Sequence, residues 1–567
     1  MWESLGVMVR ELRMMAFIGD ITDKPDWERK VLDEAIVDKW RAEADAQPPT
    51  SPPDADVFMS KAMFDFCIQE LRDKAKASRN TGRVNVLDAE IAIVKSDTAV
   101  SEPVRQALRE NVKRLEDVPD HLKDWHPGSN GLVLDLVHPS LFPVVYGLTR
   151  ALPDGEKLPL DGCIGYTCKG TIIPVPTDPR YEKQNWGSHQ WLPSDVKLTG
   201  SGAKILGYIN NLHPEKHKDL YKVLEDIVTA TIPLWEDCLN GFRDGHRIKI
   251  ECGGPKDWRY PDGLWYRIPG REGPKAWYDP NINMVGSGDG LWYSDHEDWS
   301  DVEAFEDWIE EHQILIQREP REYIPQAELE RWKTDTKLAD DYPEGLQIVF
   351  KLANIHLTPQ SPAYGGGSWH IEGMMNEQIC ASAIYYYDQE NITDSHLAFR
   401  QSLDTQELQG IPPDQDEYRS LERYLGIENQ RPAVQILGRV LTREGRLLVF
   451  PNDVQHQVQP FSLQDPTKTG HRKILAMFLI DPDRRVHSSS TVPPQRMDWW
   501  GEEINLHQLL SSFPREISDQ ILDSMDGSPL SWERALKIRE ELLEERRAHD
   551  DAIDKELKNH TFCFCEH

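Results

Sequence analysis

The sequence predicts a mixed α+β protein in which a sandwich or barrel of short strands, residues 345–485, sits between helical flanks. Three observations predict it. From Gly345 onward LQIVFKLANIHL, ICASAIYYYD, AVQILGRVL, RLLVFP, VQHQVQPF and KILAMFLIDP follow one another as β-rich runs broken by Gly, Pro and Asn, the punctuation of many short strands. Before residue 130 and after residue 486 the apolar spacing is helical instead. Residues 251–312, rich in Gly, Pro, Trp and acid with little periodicity, read as a long surface insertion.

Taken in order, the chain divides into four regions. Residues 1–130 form a mainly helical N-terminal region, with one helix running from Asp26 through Trp40, a Pro-rich loop at 47–54, and further helices near 64–76 and 103–115. Residues 131–344 form a mixed α/β support region that carries the acidic, Trp-rich insertion. Within it GLVLDLVHPSLFPVVY reads as strand and buried turn, 203–211 as a strand, and 213–239 as an amphipathic helix with a proline near its end. Residues 345–485 are the metal-binding core defended below, interrupted between Asp388 and Pro432 by a polar, partly helical insertion. Residues 486–567 are a helical C-terminal region whose strongly charged stretch from Leu530 to Glu556 reads as a solvated helix.

A chain of 567 residues can bury a large core, and 18 tryptophans exclude a disordered chain. The formal net charge of −32 argues against nucleic acid as a partner. No segment reaches the apolar length of a membrane span, and the N-terminus lacks a signal peptide's apolar stretch. Eight cysteines are sparse for this length, as in a reducing compartment. A cytoplasmic, non-secreted protein is expected, so the sequons at Asn391 and Asn559 read as chance.

The chemistry concentrates in SPAYGGGSWHIEGMMNEQICASAIYYYD. On a strand His370 and Glu372 share one face, whereas on a helix they would diverge. An imidazole and a carboxylate side by side are two thirds of a 2-His-1-carboxylate triad, which holds Fe(II) on one face and leaves the other open. The third ligand belongs on a later neighbouring strand, and His456 follows RLLVFP in a strand-turn-strand setting. The plain alternatives are a packed strand histidine and a surface carboxylate. Arg472, at the start of the next strand, is placed to clamp a dicarboxylate co-substrate, while Lys473 reads as an edge cation. His138 and His213 precede proline in apolar settings and read as structural. CIGYTC, with Cys163 and Cys168, has no second pair at zinc-finger spacing. Cys563, Cys565 and His567 read as a docked tail.

The order His-x-Glu, a distal His after Gly-x-Leu-x-Val-Phe-Pro, then Gly-x-Arg resembles Fe(II)/2-oxoglutarate-dependent dioxygenases over residues 346–482. That resemblance implies a double-stranded β-helix (jelly-roll, cupin-like) core. It implies His370, Glu372 and His456 as ligands of Fe(II), Arg472 on the distal carboxylate of 2-oxoglutarate, and O2 as second co-substrate. Tyr385 and Tyr387 on the strand after the His-x-Glu pair, with Asn376, are expected to assist carboxylate binding. The chain departs from the commoner pattern in carrying Glu for Asp and in the longer gap from His456 to Arg472. DLVHPSLFPVVYG, YINNLHP, GGSWHIEGMMNEQI, GHRKILAMFLIDP and the terminal CEH resemble a large fungal family catalogued only as a domain of unknown function, which brings no substrate with it. The expected function is oxidation of a small molecule. A non-catalytic cupin-like scaffold, or a 2-oxoglutarate-independent metal enzyme on the same fold, stays open.

Overall fold

In the computed structural model the described residues are 3–4, 6–46, 59–89, 92–177, 186–240, 249–250, 258–259, 314–315, 318–329, 334–404, 419–504 and 529–559, with 513, 514, 517 and 520. Most of the 251–312 insertion and the Cys563-Cys565-His567 tail lie outside them.

The N-terminal helices are α1 (Val9–Thr22), α2 (Trp27–Lys30), α3 (Glu34–Asp45), α4 (Lys61–Thr81) and α5 (Glu102–Glu116). The single helix expected from Asp26 is two. Asp33 ends the first piece and its side chain accepts the backbone N–H of Ala35 to start α3, a capping competition that a charged surface stretch does not resist. Between α4 and α5 a hairpin of β1 (Val84–Val86) and β2 (Ile93–Ser96) interrupts the helical region. Then come β3 (Val133–Val137), β4 (Ser194–Thr199), β5 (Gly202–Ile205) and helix α6 (Lys218–Leu239).

The core strands are β6 (Leu346–Leu357), β7 (Ala363–Tyr364), β8 (Ile379–Glu390), β9 (Ser395–Leu403), β10 (Val434–Thr442), β11 (Leu447–Pro451), β12 (Gln455–Val458), β13 (Phe461–Ser462) and β14 (Gly470–Ile480). A long helix, α7 (Trp532–Asn559), follows. β9 falls in the stretch expected to be a polar insertion.

The large sheet runs β5-β4-β6-β14-β8-β11-β2-β1, with β3 also pairing with β6. The small sheet contains β10-β9-β12, and the chain around β7 joins it through the β7–β13 pair and the bridge from His370 to His456. Treating β7 with its bridge as one segment and β12–β13 as another, the eight core segments alternate between sheets except for the fourth and fifth, which pair as neighbours in one. The first, eighth, third and sixth lie in one, and the second, seventh, fourth and fifth in the other. Those core pairings are antiparallel, and the winding matches a double-stranded β-helix. β1 to β5 extend the same large sheet, so a boundary at residue 345 runs through one sheet.

The large sheet is covered on both sides. Val349, Ile384, Tyr386, Leu448, Phe450, Ala476 and Phe478 face the small sheet's Leu397, Phe399 and Val440. The alternate residues Phe350, Leu352, Ala383, Tyr385, Tyr387, Val449 and Met477 pack with Leu108 and Val112 of α5 and Leu224, Ile227 and Trp235 of α6. Strands buried on both faces need apolar residues at every position, which is why these runs read as continuous rather than alternating. Each such Leu or Phe contributes about 1.5–3 kcal/mol by leaving water.

A candidate metal centre at the mouth of the β-helix

His370 and His456 are brought together by backbone pairing. His370 N–H donates to the His456 carbonyl (3.2 Å) and His456 N–H to the His370 carbonyl (3.0 Å), and the rings stand 4.4 Å apart by centroid. Upstream, Gly366 adopts φ +91°, and a Cβ there would lie 2.9 Å from the Val458 carbonyl; only glycine lets the chain approach β12 so closely. The segment is no continuous strand as expected. His370 is an isolated bridge and the chain then bends. Asn452 holds the bend: its Oδ1 accepts from Glu372 N (2.9 Å), and its Nδ2 donates to the carbonyls of Glu372 (2.8 Å) and Ile379 (3.1 Å).

The result is a compact donor set. His370 Nε2 lies 3.8 Å and His456 Nε2 3.5 Å from Glu372 Oε1. Ligand atoms of the three residues all fall within 4.8 Å of one another. His370 Nδ1 sits 2.9 Å from the Ser368 carbonyl, which fixes the proton on Nδ1 and turns the Nε2 lone pair toward Glu372. Burial works to lower the His370 imidazole, but Glu372 and the Ser368 carbonyl raise it above its ordinary value. A cation, whether a proton or a metal ion, is therefore favoured between Nε2 and the carboxylate, and the donor set fits a metal. Burial pushes the His456 imidazole down to about 4, aided by the His370 charge. Burial works to raise the Glu372 carboxyl, but His370 and His456 hold it well below the usual carboxylate range. The buried His456 ring packs on Phe450 (4.8 Å), itself edge-on to Phe399 (5.2 Å).

Arg472 faces the same interior. It is 2% exposed, its Nη1 donates to Ser395 Oγ, and its guanidinium lies 4.6 Å over Phe461 and 5.5 Å over Tyr386. Its Nε has no acceptor, and among the described residues no carboxylate pairs with it. Burial pushes its pKa down. Arg446, fully buried just before β11, shows the usual remedy: Nε and Nη1 meet Asp97 and Asp23, each at 2.7 Å. A buried cation left without an anion costs several kcal/mol, and among the described residues none is supplied to Arg472. Lys473, its neighbour, points the other way, to Glu116 (3.0 Å) and Asp388 (3.1 Å).

Three other expected residues lie elsewhere. Tyr385 and Tyr387 are on the outer face against α5 and α6, where the Tyr387 hydroxyl lies 3.4 Å from Asn354 Oδ1. Tyr386 takes the interior position beside Arg472. Asn376 is fully committed to backbone, donating to the His189 carbonyl (2.8 Å) and accepting from Gly187 N (3.2 Å); it builds the wall. Ser395, missed because β9 was missed, was legible in the alternation Leu397-x-Phe399.

The charged C-terminal helix is a roof rather than a solvated rod. Arg546 Nη2 meets both oxygens of Glu377 (2.7 and 2.6 Å) and its guanidinium lies 3.8 Å over Trp191, which stacks on Phe478 at 5.5 Å. Arg539 binds both oxygens of Asp124 at 2.7 Å, Glu545 binds His189 at 2.8 Å, and Asp554 binds Arg400 at 2.9 Å. Asp550, raised to about 6 by burial, lies within the charge fields of His370 and Glu372.

A second group combines His126, Asp135 and His138. His126 Nδ1 lies 2.8 Å from Asp135 Oδ2, and His138 Nε2 3.9 Å from the same oxygen. Here Ser140 N–H donates to His138 Nδ1 (3.2 Å), so the ring proton sits on Nε2 and faces Asp135. His138 is thus engaged by the backbone, in keeping with a structural reading. His213 likewise accepts from Glu215 N and Lys216 N. Among the described residues Cys163 and Cys168 join no such group.

Residues 61–503 match the profile of a family described as "Protein of unknown function (DUF4246)", and residues 1–43 that of its N-terminal domain of unknown function. No curated protein matches the chain. Similar solved structures include IDO from Bacillus thuringiensis (14% identity, TM-score 0.15, covering 24% of this chain and 45% of that one). The Fe(II)/(alpha)ketoglutarate-dependent dioxygenase TqaL follows at 18%, 0.16, 26% and 46%. A prolyl-4-hydroxylase from Pseudomonas putida stands at 15%, 0.13, 24% and 51%. The chain spans about half the length of each, and likenesses at such TM-scores add nothing to the strand order described above. Among the described residues no helix is long and apolar enough to cross a membrane.

Proposed function

This chain belongs to the DUF4246 family, whose description names no reaction, and from that premise we propose Fe(II)- and 2-oxoglutarate-dependent oxygenation, most simply hydroxylation, of a small molecule. The observation that carries it is the pairing of two incomplete sites in one interior. Three metal donors leave an open face, and a buried guanidinium at the start of β14 has no carboxylate partner. A dicarboxylate co-substrate completes both. His370, Glu372 and His456 would hold iron, which when bound supplies dioxygen activation coupled to decarboxylation of 2-oxoglutarate. Arg472 and Ser395 bind and orient the distal carboxylate, with Tyr386 and Phe461 as the walls that exclude water from it. Glu in place of Asp lengthens the carboxylate arm by one methylene, and the Asn452 clamp on the Glu372 backbone offsets that added freedom. A small molecule suits an interior roofed by α7, and the net charge of −32 disfavours nucleic acid.

The test is anaerobic addition of 2-oxoglutarate to Fe(II)-loaded protein, which should produce the visible charge-transfer band of a bidentate chelate. Arg472→Ala should weaken that binding by about 2–5 kcal/mol, and Arg472→Lys should restore only part because it lacks the fork. Iron binding without a band would support a 2-oxoglutarate-independent metal enzyme. Binding of neither would support a scaffold.

A further inference from the structure

The interior contains a second cation that no described residue pairs with directly. Along β6 the side chains of Val349, Lys351, Ala353 and Ile355 point inward, fixed by their partners Phe478, Ala476, Ile474 and Arg472 on β14. Lys351 therefore stands one inward position from the Phe478 row and two from Arg472, at about 6.6–6.8 Å per step. Its inward neighbours are Val349 and Ala353, two residues to either side, with Ala476 directly across. Among the described residues Lys351 makes no hydrogen bond or ion pair. Yet its charge acts on His456 of the triad and on Asp135 and His138. It stands between the two histidine groups.

The anion on the far side is also incomplete. Asp135 pairs with Ala353 across β3 and β6, so its side chain shares the inward face. It is 5% exposed. Oδ2 is taken by His126, while Oδ1 is buried with no hydrogen-bond partner. An ammonium and a carboxylate oxygen thus share one interior without closing on each other. What bridges such a gap carries an anionic oxygen group at one end and an N–H donor at the other.

We infer that Lys351 and Asp135 form the substrate subsite of this centre and that the substrate is a small α-amino acid zwitterion, its carboxylate on Lys351 and its ammonium on Asp135 Oδ1. This rests on the proposed oxygenase reading for what happens to the bound molecule, but not for the binding itself. Arg472 is then reserved for the co-substrate, and the two interior cations divide two carboxylates between them.

The experiment uses the full chain and the twenty proteinogenic amino acids, each alongside its methyl ester and its N-acetyl derivative. Binding is read by saturation-transfer NMR on metal-free protein, and separately by perturbation of the anaerobic Fe(II)·2-oxoglutarate band. At least one free amino acid should bind and perturb the band, and its ester and N-acetyl forms should bind more weakly. Lys351→Met and Asp135→Asn should each weaken it by about 10- to 100-fold, the loss of one charged hydrogen bond. Lys351→Met should keep the 2-oxoglutarate band. Amino-acid binding that depends on Lys351, in a protein that forms no band, would uphold the subsite and overturn the oxygenase reading. A band with no amino acid bound, or binding indifferent to Lys351, would overturn the subsite. Loss of the band in Lys351→Met would reassign Lys351 to the co-substrate and overturn it as well.

Discussion

Two groups of two imidazoles and a carboxylate lie in this chain, and they differ in which ring nitrogen holds the proton. At His370 a carbonyl receives Nδ1–H, so Nε2 is aimed at Glu372, and the two together draw a cation, proton or metal, between them. At His138 a backbone N–H points at Nδ1, so Nε2 carries the proton and faces Asp135 Oδ2 across 3.9 Å, beyond hydrogen-bond reach. The first group is unsatisfied without a cation; the second satisfies itself in part. Residue types and spacing do not separate them, and a single backbone contact to each ring does. The neighbouring hydrogen bond, more than the ligand set, decides whether histidines wait for a metal.

The sharpest break of that contrast is metal content. His456→Ala should abolish stoichiometric Fe(II) retention after dialysis, whereas His138→Ala should leave one iron per chain. Iron loss in both variants would erase the distinction. Next in size is stability. His138→Ala strands the Ser140 N–H in a buried place and should cost about 1–3 kcal/mol in urea unfolding, where an equal cost for the half-exposed His370 is not expected.

Acid sharpens the same contrast. Burial pushes the His138 imidazole well below its ordinary value, so its stabilisation is complete above about 6.5 and is lost as pH falls through that value. Asp135 is raised by burial but lowered further by His138, His126 and Lys351, to about 2; its share is present above about 4 and is lost between about 4 and 2. Stability of the wild type should therefore fall by up to about 1.4 kcal/mol per pH unit just below pH 6.5 through His138 alone, and His138→Gln should flatten that slope. The smallest effect concerns the roof. Asp554→Ala should change stability by under about 1 kcal/mol while quickening removal of iron by a chelator, and should leave the exchange of the Asp135 amide unaltered.

The grouping of His370, Glu372 and His456 was legible because each sits in a locally distinctive run. β6, β8, β11 and β14 were legible for a different reason, their burial on both sides. β9 was not, since its inward Leu397 and Phe399 alternate with His396 and Arg400 in a polar stretch. The tyrosines show how little separates success from failure: a one-residue change of parity exchanges every side chain between faces, and it put Tyr386 inside in place of Tyr385 and Tyr387. The second histidine group was invisible because His126 and Asp135 meet only through the pairing of 124–125 with β3. The roof was misread because the partners of its charges, Asp124, His189, Glu377 and Arg400, lie more than a hundred residues away.

The helix's own charges are not equally sheltered. Arg539 and Arg546 keep 7% and 15% of their side-chain exposure, while Glu545 keeps 25% and Asp554 39%. The start of α7 is anchored besides by Leu530, Ala535 and Ile538 in an apolar cluster with Leu141 and Phe142. Mobile ions screen exposed pairs far more than buried ones, so salt peels this helix from its C-terminal turn and stops near Arg546. The roof over the candidate metal centre then has a hinge end and a free end, and its hold on that end should loosen as the ionic strength of the medium rises.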